Sequence, residues 1–129
     1  MTDPITDMLN RIRNALLVKQ EKVVIPFSNL KFEIAKILEE KGFIEKIEKK
    51  KKKTKKTMEI TLKYAEGIPV ISSLKRLSKP GQRIYLPAKK LQKFRRGYGI
   101  VIISTSKGLM TSYAAKKQNL GGELICEIW

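Results

Sequence analysis

Ser104, Thr105 and Ser106 are adjacent hydroxyl side chains, followed directly by Lys107 and Gly108. They come straight after the apolar run Ile100 to Ile103, where a buried strand ends and its backbone becomes free to meet a partner. Lys107 adds charge there, and Gly108 adds room. Further on, Gly121-Gly122-Glu123 leads into a second strand-like run, Leu124-Ile125-Cys126-Glu127-Ile128-Trp129. If these two glycine-marked corners lie at one end of one small sheet, they make a polar surface that another molecule can approach closely. Alternatively, Gly108 and Gly121-Gly122 serve only as turn residues, through positive φ or by ending a helix.

Other chemistry is excluded by composition. The chain has no histidine and one cysteine, Cys126, so nucleophile-with-imidazole arrangements, the common zinc sites and an internal disulfide are all ruled out. Cys126 lies in an apolar run and reads as a buried packing thiol. Gly97-Tyr98-Gly99 lacks a third glycine at the dinucleotide spacing, where Ile102 stands, and no phosphate-binding Gly-x-x-x-x-Gly-Lys-Ser/Thr loop occurs. Glu33, Glu39, Glu40, Glu45 and Glu48 fall on outer faces and read as solubilising charges, not as an acid/base pair. No enzyme activity, cofactor, metal or small-molecule substrate is expected.

What remains is a strong electrostatic bias. Lys and Arg number 28 against 12 Asp and Glu, a formal net charge of +16. So large an imbalance repels itself unless a polyanion screens it, which points to nucleic acid or an anionic membrane surface. No apolar run approaches the roughly 20 residues that span a bilayer. Asp3 and Asp7 stand where a signal peptide would be basic, so a cytoplasmic location is expected. The 129 residues, 42% of them hydrophobic, suffice for one domain or for two small lobes.

The elements that would position the hydroxyl run are partly legible. Asp3-Pro4 opens a helix whose apolar face is Ile5, Met8, Leu9, Ile12 and Leu16, with Arg11 and Arg13 off that stripe. Val23-Val24-Ile25 reads as a strand stopped by Pro26. Ser28 caps a second helix with Leu30, Ile34, Ile37 and Leu38 on one face and Gly42 at its end. Phe43 to Ile47 and the alternating Met58 to Tyr64 form a hairpin, and Lys49 to Lys53 with Lys55 and Lys56 read as its mobile, unpacked tip. Gly67 and Pro69 mark a boundary between an N-terminal lobe, residues 1–65, and a C-terminal lobe, residues 66–129. Val70 to Leu77 fits strand or helix, with strand preferred. Lys79-Pro80-Gly81 then turns the chain into Arg83 to Leu86, and a hairpin is the simplest account. Lys89 to Arg96, with Leu91 and Phe94 as apolar anchors, reads as a basic helical turn or loop, and Gly97-Tyr98-Gly99 breaks it. Thr111 caps a short helix to Asn119, and Leu124 to Trp129 is a final strand whose apolar end packs. The fold class is α+β: an N-terminal α-β-α-β-β lobe and a C-terminal, mostly antiparallel β lobe with a short helix.

These residues also carry a family resemblance along the whole chain. Ser104-Thr105-Ser106-Lys107-Gly108 and Gly121 to Trp129, Thr2-Asp3-Pro4-Ile5 with Arg11-Ile12-Arg13-Asn14, and Ser78-Lys79-Pro80-Gly81 with Arg83-Ile84-Tyr85 together resemble the bacterial-type small-subunit ribosomal protein eight family. The resemblance implies a two-lobed protein that binds a helix in the central domain of small-subunit rRNA early in assembly, beside neighbouring small-subunit ribosomal proteins. A further implication is repression of its own operon through a similar structure in the messenger. The residues implied to face RNA are Ser104, Thr105, Ser106, Lys107 and Gly108, Tyr85, and the corner Gly121, Gly122, Glu123. Contacts near the two N-terminal caps map to Thr2 and to Ser28 with Lys31. The chain departs from the family pattern in two places. Asn29 stands where a basic residue usually follows the Ser28 position, and Ser112 and Ala114 replace the acidic residues that would complete a capping box with Thr111.

The implied mechanism is physically coherent. Duplex RNA hides its base edges in a deep major groove and offers a shallow minor groove lined with 2′-hydroxyls. Ser and Thr both donate and accept hydrogen bonds at little entropic cost, so they suit sugar hydroxyls and unpaired bases. Lysines add phosphate attraction without selecting sequence. Rival classes lack their own signals: a membrane-surface protein needs an amphipathic helix with Trp or Phe on its apolar face, and a histidine-free nuclease needs clustered carboxylates for Mg²⁺.

Overall fold

The computed structural model describes residues 3–91 and 99–129. Helix α1 (Pro4–Leu17) starts at the proline, whose missing N–H costs no bond there, and buries Ile5, Met8, Leu9, Ile12 and Ala15. Each of the larger side chains so covered, Ile5, Met8, Leu9 and Ile12, contributes about 1.5–3 kcal/mol. Strand β1 (Lys22–Pro26) follows, then helix α2 (Asn29–Glu40), whose Ser28 cap accepts a hydrogen bond from the Lys31 N–H. At the far end Gly42 takes φ +82°. The Gly42 N–H returns to the Glu39 carbonyl at 3.1 Å and the Phe43 N–H to the Leu38 carbonyl at 2.8 Å, so two otherwise orphaned carbonyls are satisfied.

The buried stripe of α2 differs from the expected one. It runs through Lys31, Ile34, Ala35 and Leu38, while Leu30 is 40% exposed and Ile37 half-buried. Both sets have helical spacing; the sequence pattern passes over Lys31 because of its charge, yet a lysine stem is apolar and packs readily.

Strands β2 (Ile44–Lys52) and β3 (Lys55–Leu62) form the expected hairpin, and β1 pairs with the other edge of β3, giving the order β1-β3-β2. Pro26 is tolerated because β1 is an edge strand. The expected lysine loop is shorter than its sequence suggests: pairing continues through Lys50↔Thr57, Lys51↔Lys56 and Lys52↔Lys55, and only Lys53 and Thr54 turn the chain. The register is anchored at the base by buried Ile44, Met58 and Ile60, and the charged side chains need no packing for the backbone ladder to continue outward. A two-residue turn with Lys53 at φ +57° closes it. A small ribbon, β4 (Tyr64–Ala65) and β5 (Ile68–Pro69), follows. Pro4–Ser72 make one compact unit, and Ser73–Trp129 with Asp3 make another.

The second unit is built on one strand. Strand β10 (Gly122–Ile128) pairs antiparallel with β6 (Leu74–Arg76), β7 (Tyr85–Leu86) and β8 (Ile100–Thr105), and β9 (Gly108–Thr111) pairs with β8. The expected strand from Val70 to Leu77 is confined to β6. The expected hairpin between it and Arg83–Leu86 does not form: β6 meets residues 126–128 and β7 meets residues 122–123 of the same strand, so the two run in line along one edge of β10. The Lys79-Pro80-Gly81 turn is real, closed by Lys79 and Gln82, but it loops out from that edge. Ser78, fully buried, bridges the loop's neck: its hydroxyl accepts from the Ile84 N–H at 2.8 Å and lies 3.4 Å from the Ile84 carbonyl. Asp3, just before α1, gives its carboxylate to Arg76 at 3.0 Å, and the same guanidinium donates to the Ile125 carbonyl.

Helix α3 (Ser112–Lys117) is capped by Thr111, whose hydroxyl accepts from the Ala114 N–H. Its buried Ala115 packs with Leu91, Val101, Ile103 and Leu124 in the core of this unit. Cys126 is buried as expected, and burial pushes its thiol up to about 12, which keeps it neutral and unreactive. Ala88–Lys90 form a single 3-10 turn. The rest of the expected basic loop from residue 92, Gly97 and Tyr98, and the Thr2 position lie outside the described residues.

Ser78→Ala should be costly for so small a change, because it strands the Ile84 N–H in an apolar neck. A loss of about 1–3 kcal/mol is expected in a urea unfolding series. An unaltered midpoint would mean that the neck is held by strand pairing alone.

Candidate nucleic-acid interface

Strand pairing assembles the site. Across the sheet, Tyr85 on β7 faces Glu123 on β10, Glu123 faces Ser104 on β8, and Ser104 faces Leu109 on β9. Directly opposed residues share a sheet face, so Tyr85, Glu123 and Ser104 form one row. On the same strands the alternate residues Ile103 and Leu124 enter the core beneath. Farther along the row's face, Ile102 and Cys126 are wholly buried. Register shifts between Leu124 and Cys126, leaving Ile125 as the extra residue of a bulge. The face thus changes from apolar to polar where β8 ends.

Beyond the row, Ser106 and Lys107 form the two-residue turn between β8 and β9, closed by the Thr105↔Gly108 pair. Thr105 uses its hydroxyl inside this turn: it donates to the Gly108 carbonyl at 2.8 Å and accepts from the Lys107 N–H at 3.1 Å. Its proton is already committed, so toward a ligand it has only a lone pair to offer. Ser106 is exposed, and among the described residues its hydroxyl has no partner. The exposed Lys107 likewise makes no ion pair among them.

The glycines divide by role. Gly108 adopts φ +105° with nothing within 4 Å of where a Cβ would stand, so it serves the turn. Gly121 and Gly122 are needed for packing within the chain. A Cβ on Gly122 would stand 2.1 Å from the Ser104 carbonyl oxygen, and one on Gly121 would stand 2.6 Å from that of Leu86. This pair therefore seats β10 between β7 and β8, a role that neither turn geometry nor ligand approach anticipates.

Glu123 is largely covered, with 15% of its side chain exposed, and its carboxylate is 3.7 Å from the Arg83 guanidinium. A hydrogen bond with Tyr85, and then the charge of Glu123, hold the Arg83 pKa above its ordinary value. Arg83 thus neutralises the one carboxylate of the row beside Tyr85, which is 62% exposed. Sequence reasoning placed Arg83 in an extended run but missed this part; the signal was its i, i+2 spacing to Tyr85, which puts both on one side of an extended chain.

Of the residues expected to face RNA, the structure brings together Tyr85, Ser104 to Gly108, and Gly121 to Glu123. Ser28 and Lys31 sit together in the other compact unit, where Ser28 caps α2 and Lys31, only 7% exposed, keeps its stem buried. Among the described residues no group of acidic, histidine or cysteine side chains could hold a metal ion, and no helix is long and apolar enough to cross a membrane.

Residues 3–129 match the family model described as Ribosomal protein S8. The chain belongs to the ribosomal protein S8 family. This S8 chain is 51% identical over its full length to the small ribosomal subunit protein uS8 of an Exiguobacterium species and 50% identical to that of Clostridioides difficile, in each case spanning 98% of the relative. The protein of the same name from Vesicomyosocius okutanii is 49% identical with the same coverage. An S8-family protein is structural and not an enzyme.

Gly122→Ala should destabilise the protein by at least the upper end of the about 1–3 kcal/mol typical of overpacking, because rigid backbone stands in the way. Gly108→Ala should cost less, about 1–2 kcal/mol, since only its φ is unfavourable. Thermal melts of the two variants check the order; equal losses would mean that β10 can shift without harm.

Proposed function

We propose that this chain is a constituent of the small ribosomal subunit, located with the ribosome in the cytoplasm, and that its C-terminal lobe, residues 66–129, binds a helix of the central domain of small-subunit rRNA. Neighbouring small-subunit proteins would then adjoin it. The observation that carries this reading is the row Tyr85-Glu123-Ser104, continued into the exposed Ser106-Lys107 turn. Such a row suits the shallow minor groove and irregular bases: short hydroxyls for sugar and base edges, one exposed ring for stacking, one ammonium for phosphate. The relatives' names support the subunit assignment.

Within the turn, Ser106 is the residue to vary, because its hydroxyl has no task inside the chain. Losing one hydrogen bond costs about 0.5–1.5 kcal/mol, so Ser106→Ala should weaken binding to a central-domain rRNA fragment roughly two- to tenfold. Thr105→Ala with Ser106→Ala should exceed about tenfold. Thr105→Ser, which keeps both turn bonds, should bind normally. The salt dependence should stay unchanged in all three, since no charge is removed. If Ser106→Ala and the double variant bind as tightly as the parent, with intact melts, the turn does not contact RNA.

A further inference from the structure

The lysine-rich end of the β2–β3 hairpin is an ordered structure with an unusual charge arrangement. Lys51 stands directly opposite Lys56, and Lys52 opposite Lys55. Like charges in such positions destabilise a strand pair. Nearby acids serve other lysines: Glu59 pairs with Lys22 and Lys50, and Glu48 with Lys46. Among the described residues no carboxylate lies within ion-pair distance of Lys51, Lys52, Lys53, Lys55 or Lys56. The hairpin therefore holds mutual repulsion that an external polyanion would relieve.

At its base the same hairpin forms a pocket. The Lys49 ammonium lies 5.1 Å from the centre of the Phe27 ring and 4.8 Å from that of Phe32, so two aromatic faces position one cation. The Phe27 N–H donates to the Lys56 carbonyl at 3.2 Å, which ties the ring to the ladder. A cavity of about 220 Å³ opens here, lined by Phe27, Lys49, Lys50, Lys51, Lys56 and Thr57. No carboxylate lines it; of its lysines, Lys49 is held over the rings and Lys50 pairs with Glu59, which leaves Lys51 and Lys56 without a carboxylate partner and available to an anion. Its volume leaves room for a sugar attached to the anion.

We propose that this pocket and the lysine ladder above it form a second RNA site, in the unit that does not contain the hydroxyl turn, taking an unpaired strand by its phosphates. The inference rests on the reading that the chain works against RNA. Same-face side chains recur about every 6.7 Å along a strand, a step that suits successive phosphates of an extended single strand better than the single charges of a folded protein surface. The pocket takes one phosphate with its sugar against Phe27, and the opposed lysine pairs take those that follow. Such a site binds many sequences, because it reads backbone and ring faces. Its effect is to let one chain hold two RNA segments.

The test is titration of the ¹⁵N-labelled full chain with a twelve-residue oligouridylate, with an oligoglutamate of equal charge as control. Amide shifts are expected at Phe27 and from Lys49 to Thr57 with the RNA, and not at Ser104 to Gly108. Lys51→Ser with Lys56→Ser should lower the slope of log affinity against log salt by about 1.4, at about 0.7 per phosphate on a single strand. Phe27→Leu removes no charge, yet should weaken oligouridylate binding about two- to fivefold through loss of the ring that positions Lys49. Thr57→Val provides the same check without touching the aromatic pair. If neither charge-neutral variant alters binding, or if oligoglutamate gives equal shifts, the hairpin is a general polycation and the site is not one for RNA. Shifts confined to Ser104–Gly108 would overturn the second site and leave the rRNA reading standing; failure of that reading shows instead in the central-domain fragment.

Discussion

The approach of the Gly122 backbone to the Ser104 carbonyl is the constraint on which the C-terminal unit depends. No side chain larger than hydrogen fits there without displacing β8. Because it fits, β10 takes its register with Ser104 opposite Glu123, and the same strand holds Tyr85 opposite Glu123 on its other edge. Leucine and isoleucine on the alternate positions then fall into the core with Ala115 of α3. Displacing β10 by one residue would turn every one of these side chains to the wrong face. Core and polar row are two consequences of one register.

The electrostatics of that row are arranged with economy of charge. In the proposed RNA-facing row a lone carboxylate would be repulsive, and Glu123 would be so if it stood alone. Its burial and its pairing with Arg83 make it an internal brace instead, which leaves the Tyr85 ring outward. The excess positive charge is greatest elsewhere, on the β2–β3 hairpin, where opposed lysines lack carboxylate partners. Local geometry and bulk charge thus reside in different parts of the chain, an arrangement that in the proposed RNA-binding role would separate affinity from selectivity.

Much of the fold was legible because local rules act locally. The α1 stripe, the alternation from Met58 to Leu62, the Ser28 and Thr111 caps and the Gly42 stop each follow from residues within one turn or one strand of each other. The errors arose where a distant partner decides. Arg83 to Leu86 was assigned to a neighbouring hairpin, but its partner is β10, nearly forty residues on, and Ser78 supplies the link that composition does not reveal. The lysine run was read as a loop because charge was taken to oppose strand pairing; its side chains are exposed as expected, but a ladder anchored by Ile44 and Met58 continues whatever its side chains carry. At the site, the hydroxyl run and the glycine corner were recognisable by type, and their adjacency by the apolar strands that lead to them. The distinction between Gly108 and Gly122 was not, since positive φ and absence of space look identical in a sequence.

The turn itself shows how fold and recognition compete for the same atoms. Thr105, by type the equal of its neighbours, is consumed: its proton closes the turn on Gly108 and its oxygen receives the Lys107 N–H. Its contribution to the proposed contact is rigidity, because a turn held by two side-chain bonds presents Ser106 and Lys107 in one arrangement and would lower the entropy lost on binding. Ser104, in the strand row, is fixed by the sheet in the same way. A hydroxyl on a mobile loop would offer the same chemistry but surrender much of its gain to ordering. The three consecutive hydroxyls are therefore not three equivalent contacts: one is mounted on the sheet, one builds the turn, and one is left free to be spent outside.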